Sequence, residues 1–332
     1  MISPDPAASL VHVHRPSGRA RALLVLRVVV GVAVLAGAGY ALFSNWSEVK
    51  DTVFNIGWQI WVPAFLVLPL AILCSTLSWQ VLVDELGEPI GPRQGSQIFL
   101  VGQLGKYLPG SVWAYVLQVE LGRRAGVARA RIFTATVFSV AILVVAALLA
   151  GSLAIPSIVD QNPDFATIRW LYLLLPIGIV GLHPRVLTGI TNVGFKLMKR
   201  PLPGHPIRKR AVLVSLAWAL SAYALFGLHL WILVEGAEDA DLDALRLTVG
   251  TMAIAMVSGL FFFVLPSGAG IREAVIVSAL AALVPTGQAI ALAAVSRVFL
   301  TLADLATAGV ATAMATAGKR RYETEVVPLA GD

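Results

Sequence analysis

The sequence holds a single cysteine, Cys74, so no disulfide can form within the chain, and because that thiol sits in an apolar run it reports no redox compartment. Charge is scarce as well. Asp, Glu, Lys and Arg make up 13% of the 332 residues and hydrophobic residues 58%, whereas about a quarter of the residues in a soluble domain are charged. Polar stretches able to fold alone are missing: the longest are the N-terminal residues up to about Arg21, a linker over about 196–210 and the tail after Gly318. A large aqueous domain, and with it a soluble catalytic module, is therefore not expected in these residues. The sequence has no cluster of metal ligands, no nucleophile elbow and no phosphate-binding loop, so no cofactor, metal or catalytic residue is expected either. The net charge of +6 does not point to nucleic acid, because the basic residues concentrate in particular loops, where they act as a topology signal.

What the chain does have is long apolar runs. About 20 apolar residues cross the hydrocarbon core at 1.5 Å per residue, and candidates lie at roughly 22–43, 58–83, 130–153, 167–183, 211–234 and 286–315. The first follows Arg15, Arg19 and Arg21 and resembles a signal peptide, but it is longer than the usual apolar segment of one and further spans follow, so an uncleaved first helix is expected. Between the second and third spans lies an apolar segment over about 95–122 that is interrupted by Pro and Gly, and a similar one over about 247–284 precedes the last span. The order helix, helix, broken hairpin, helix is thus stated twice. Leu108-Pro109 aligns with Leu265-Pro266 at an offset of 157, and the flanking spans recur at offsets near 150, the pattern of an internal repeat.

Charge sets the expected orientation. Arg15, Arg19 and Arg21, then Arg93, Arg123, Arg124, Arg129 and Arg131, then the basic loop from Arg185 to Arg210, then Lys319, Arg320 and Arg321 all fall on one side if each hairpin enters and leaves by the same face. The other side receives the segment with Glu48, Lys50 and Asp51, the one with Asp160 and Asp164, and the acidic run from Glu235 to Asp243. By the positive-inside rule both termini are cytoplasmic. Three spans per half is an odd number, so the halves run in opposite senses as inverted repeats, whether the hairpins are re-entrant or cross twice. The expected fold is an all-α polytopic membrane protein of inverted repeats, each with three spanning helices plus a Pro/Gly-broken hairpin. It divides into a cytoplasmic tail 1–21, a first repeat 22–153, an extracytoplasmic linker 154–166, a second repeat 167–316 and a cytoplasmic tail 317–332. Within the second repeat, 184–200 has Val186, Leu187, Ile190, Val193 and Leu197 on one stripe and cations opposite, which predicts a helix in the cytoplasmic interface.

The candidate site lies at the two breaks. An unwound backbone survives at membrane depth only where it lines a cavity or is buried in protein, so matched interruptions point to a transporter's midplane site. In the first break Lys106 sits one turn before Pro109, Gly110 and Ser111; in the second, Pro266, Gly268 and Gly270 lead into Arg272 and Glu273. Each break offers free backbone N–H groups at a half-helix N-terminus, and these attract phosphate or carboxylate. The last span carries Arg297 and Asp304 seven residues apart near mid-depth, where ionisable groups are costly unless paired or facing a cavity. Two readings of that pair stand side by side: a packing ion pair, or an anion ligand with Asp304 orienting it or taking a coupling proton. For Lys106 and Arg272 the alternative is snorkelling to opposite surfaces, paired with Glu120 or Glu273. Tyr107, Trp113 and Tyr115 read as interfacial anchors and His229 as a satisfied packing residue.

The stretches Gly102 to Trp113 and Leu265 to Ala274, with Arg297 and Asp304 in the last helix, resemble the lysylphosphatidylglycerol synthase/flippase transmembrane family over about 20–316. The second stretch has Pro-Ser-Gly where the family more often shows Pro-Gly-Gly. The resemblance implies inverted repeats with re-entrant hairpins and movement of an aminoacylated phospholipid between leaflets, without the aminoacyl-transferase domain of the best-known members. The expected function is translocation of an anionic or aminoacylated phospholipid, or of a polyprenyl-phosphate-linked lipid, in the cell membrane. The alternatives are a membrane-embedded lipid-phosphate transferase using Glu273 or Asp304 as general base, and a non-catalytic membrane partner of a glycosyltransferase or synthase. The expected partners are a lipid with an anionic head group and a separate lipid-modifying enzyme.

Overall fold

A computed structural model describes residues 40, 43–108, 112–161, 169–170, 172–197, 207–261 and 266–326, and among these the fold is helical throughout, with no strand. In chain order the α-helices are α1 (Trp46–Asn55), α2 (Trp58–Glu85), α3 (Pro92–Ser96), α4 (Trp113–Arg124), α5 (Arg129–Gly151), α6 (Ile155–Gln161), α7 (Leu174–Gly181), α8 (Pro184–Leu197), α9 (Lys209–Glu235), α10 (Leu242–Phe261), α11 (Ile271–Leu280) and α12 (Thr286–Val326). Five of the described helices are long and apolar enough to cross a bilayer: α2, α5 with its continuation to Asp160, α9, α10, and α12 to Ala315. The chain is a multi-pass membrane protein. These helices are apolar on all sides because one face meets lipid and the other meets protein. Leu66, Leu70 and Leu73 of α2 are exposed, for example, while Leu68, Ala71 and Trp79 are buried.

The centre of the bundle is an antiparallel pair, α2 and α9. Arg208, at the start of α9, donates to Glu85 at the end of α2 at 2.6 and 2.8 Å, and Ile60 near the start of α2 abuts Gly236 just past the end of α9. About two turns in from the Glu85–Arg208 end, the hydroxyls of Ser78 and Ser215 lie 2.9 Å apart and each donates to the other residue's carbonyl, at 2.9 and 2.8 Å. Interhelical hydroxyl bonds and small residues let two helix backbones close up where no hydrophobic force separates protein from lipid. The long α12 runs alongside: Glu48 of α1 packs on Gly287 at its start, and Arg93 of α3 reaches the Ala315 carbonyl farther along.

The first broken segment is a hairpin. α3 loosens into a π-turn (Gln97–Val101) and then tightens into a 3-10 turn (Leu104–Tyr107), after which α4 returns. Gln94 Nε2 donates to the Ala125 carbonyl at 2.7 Å, so the segment enters and leaves at the same end. The second is built unequally. Its first arm, α10, has 20 residues and is itself a candidate span, while its second arm, α11, has 10.

Other expectations meet the structure unevenly. The span expected over 22–43 lies outside the described residues except for positions 40 and 43. Of the span expected over 167–183, the described part contains only α7, eight residues with none buried. Pro176 lacks the N–H that would bond the Tyr172 carbonyl, and residues 172–173 are 3-10 rather than α. The helix expected over 184–200 is present as α8, with Leu187 buried.

Candidate functional site

The two breaks meet each other and α12. At the tip of the first hairpin the 3-10 turn carries Lys106 and Tyr107 toward Asp304. Lys106 Nζ lies 2.6 Å from Asp304 Oδ2, and the Tyr107 hydroxyl donates to the same oxygen at 2.6 Å.

The second break is held by Arg297. Its Nη1 donates to the Ser267 carbonyl at 3.1 Å, and its Nε lies 3.5 Å from Glu273 Oε1. Ser267 has φ of 52°, a left-handed conformation that a non-glycine residue adopts only under constraint from its surroundings; the turn aims its carbonyl at the arginine. Gly268 follows at φ of 66°, and a Cβ there would stand 2.4 Å from Gly259 Cα, so the turn lies backbone against backbone on α10. Glu273 Oε2 accepts from the Gly270 N–H at 2.6 Å. The positive end of α11 is therefore already met by its own carboxylate, one turn in.

Arg272 sits beneath α10 where Gly259 leaves room: a Cβ on Gly259 would come within 2.4 Å of Arg272 Nε. That Nε is buried and has no hydrogen-bond partner, and Arg272 is within electrostatic range of Lys106, Arg297, Asp304 and Glu273. Three cations thus face two carboxylates.

Lys106, Arg272, Arg297 and Asp304 line one end of a cavity of about 190 Å³. The rest of its wall is mostly apolar, from Ile72, Phe99, Val140, Leu143, Phe226, Met256 and Leu300, with a polar lane of Trp79, Gln118 and Thr136. In that lane the Trp79 indole N–H donates to Thr136 Oγ1 at 3.1 Å, and Thr136 donates to Gln118 Oε1 at 3.2 Å. A charged end joined to a mostly apolar wall is the shape of an amphiphile's site.

Of the residues expected at the site, Lys106, Arg272, Glu273, Arg297 and Asp304 converge here, with the backbone of Gly268 and Gly270. Pro109, Gly110 and Ser111 lie outside the described residues, and Pro266 contributes its backbone to the 3-10 turn Pro266–Gly268. Arg297 and Asp304 do not pair with each other; each bonds a different hairpin. Lys106 does not reach Glu120, which is held by Arg123 and Arg124 at 2.7 and 3.0 Å. Tyr107 and Tyr115, expected as interfacial anchors, both line the cavity instead, Tyr107 with its hydroxyl on Asp304, whereas Trp113 is exposed. Gln118, Thr136 and Trp79 were not expected. His229 is the satisfied packing residue expected, with Nδ1 2.8 Å from the Ala64 carbonyl and Nε2 3.0 Å from Ser296 Oγ. No group of His, Cys, Asp and Glu among the described residues could hold a metal ion.

Residues 26–308 match the family described as the lysylphosphatidylglycerol synthase TM region. No curated protein matches the chain.

Proposed function

Because the chain belongs to the lysylphosphatidylglycerol synthase TM-region family, we propose that it moves a lipid with an anionic head group between the leaflets of the cell membrane. One observation carries this reading: three cations and a single carboxylate, Asp304, line one cavity where both broken segments meet among spanning helices, with Glu273 behind Arg297 as the only other counter-charge among the described residues there. An added negative charge neutralises that excess, and the apolar wall accommodates the first part of an acyl chain. Phosphate is the natural occupant, since arginine offers planar paired donors and lysine a point charge.

The antiparallel α2–α9 pair supports an inverted repeat, with the α3–α4 hairpin in one half answering α10–α11 in the other. In that arrangement the basic loops, and with them both termini, face the cytoplasm. Rocking of one half against the other would alternate access to the cavity. The domain boundaries follow the same division, with repeats at 22–153 and 167–316, and a separate enzyme would supply or consume the lipid. The transferase alternative draws no support from the site, since Asp304 is engaged by Lys106 and Tyr107, and Glu273 by Gly270 and Arg297.

The test is reconstitution of the purified chain into liposomes carrying a labelled anionic phospholipid. Equilibration between leaflets should be faster than in empty liposomes and should fall at least tenfold in Lys106→Ala and Arg297→Ala. Unchanged rates in both variants would overturn the site.

A further inference from the structure

Gln118 is 1% exposed, yet its Nε2 has no hydrogen-bond partner. Its orientation is fixed by a chain of donors. The Trp79 indole can only donate, so Thr136 Oγ1 accepts there and gives its own hydrogen to Gln118 Oε1. The side-chain stem is pinned as well: a Cβ on Gly102 would stand 2.4 Å from Gln118 Cγ, so only glycine lets α4 settle this close to the first arm of its hairpin. Held at Oε1 and along its stem, the amide leaves both N–H groups without a partner in the wall of the cavity. A buried donor left unsatisfied costs about as much as a lost hydrogen bond, and burying one at the wall of a cavity is the mark of a site awaiting an acceptor.

Two buried nitrogens on this wall lack partners, Arg272 Nε and Gln118 Nε2. One belongs to a cation and the other to a neutral amide, so they ask for different oxygens. Resting on the translocation reading above, we propose that Gln118, oriented by Thr136 and Trp79, is a specificity-determining subsite for a neutral hydroxyl on the head group, beside the phosphate held at the cationic end. A hydroxyl accepts from Gln118 and can return its own hydrogen to Ser139 or Tyr115, which line the same wall. A site built to hydrogen-bond a hydroxyl discriminates strongly against a ligand that lacks one.

The test uses the purified full chain in detergent and short-chain lipids, with affinity read by titration calorimetry. Dihexanoyl phosphatidylglycerol should bind about tenfold more tightly than dihexanoyl phosphatidylpropanol, which carries the same singly charged phosphodiester and the same ester carbonyls but no head-group hydroxyl. Gln118→Leu should abolish that preference while leaving phosphatidylpropanol binding within about twofold, and Thr136→Val, which frees the amide to turn, should reduce the preference in the same direction. A preference that survives in both variants, or an equal loss of both lipids in Gln118→Leu, overturns the subsite. Equal binding of the two lipids by the unaltered chain overturns the subsite but not the transport reading. Binding of neither lipid overturns both. Glycerol 3-phosphate that competes as well as the lipid would overturn the assignment to a lipid head group.

Discussion

Removing either Lys106 or Asp304 is expected to cost more stability than removing both. The two charges lie 2.6 Å apart with side chains 22% and 10% exposed. At that distance their attraction is about 6 kcal/mol for an effective dielectric of 20. Taking each ion out of water costs several kcal/mol, which cancels most of this gain, so the pair as a whole contributes little. A single replacement behaves differently, because it strands the partner charge inside the bundle. Lys106→Met and Asp304→Leu should each destabilise the fold by about 3 to 5 kcal/mol. The double variant retains no stranded charge and loses chiefly the hydrogen bond from Tyr107, about 1 kcal/mol or somewhat more. Equilibrium unfolding by SDS in mixed micelles, followed by tryptophan fluorescence, measures all three. A double variant as unstable as the sum of the two single ones would refute the account, since the charges would then contribute independently. Lipid movement should be lost in every variant that lacks Lys106.

Replacing Gly227 by Ala should destabilise the protein by about 1 to 3 kcal/mol, because the new Cβ would stand 2.3 Å from Val249 Cα and α9 and α10 would have to separate; unaltered SDS unfolding would contradict that packing. His229→Leu leaves the Ala64 carbonyl and Ser296 without their partner, at a cost of about 1 to 3 kcal/mol, while lipid movement per folded molecule stays the same; a slower rate with intact stability would give His229 a role in transport. Arg208→Ala should lower stability even though the arginine side chain is 80% exposed, because the Glu85 side chain it pairs with is only 8% exposed and would keep just the backbone N–H of residue 208; unaltered SDS unfolding would contradict this. In a Cys74→Ala background, Arg124→Cys and Asp239→Cys should react with an impermeant maleimide from opposite faces of the membrane; labelling of both from one face would remove the inverted arrangement.

The sequence revealed the site's charged members because an ionisable residue in an apolar run stands out against its neighbours: Lys106, Arg272, Arg297 and Asp304 were each visible from composition alone. Their partners were not. Arg297 and Asp304 lie on one helix at a spacing that brings them to neighbouring positions, and the sequence has no means of telling that hairpins from elsewhere in the chain would take one each. Tyr107 carried the signature of a membrane-interface aromatic, and only the 3-10 turn at the hairpin tip sends its hydroxyl inward. Gln118 and Thr136 are neutral and sit on helices without a break, so nothing in the sequence separates them from ordinary packing residues. The spans α2, α5, α9 and α12 were legible from hydropathy because their apolar runs are long. The segment around α7 was equally apolar, but hydropathy registers the length of an apolar run and not its backbone geometry: α2 stays helical through Pro63 and Pro69, whereas residues 172–173 ahead of α7 are 3-10.

The lysine at the first hairpin tip finds its carboxylate on the last described helix, and the neighbouring Tyr107 is 197 residues from that same aspartate. At roughly 5 to 20 residues per second, a ribosome takes about 10 to 40 s to bridge that gap. During this interval a short hairpin bearing an unmatched cation must be sheltered from lipid by the insertion machinery or held near the aqueous surface. Nascent chains arrested before Asp304 emerges should therefore be substrates for membrane proteases, and those released after it should escape them.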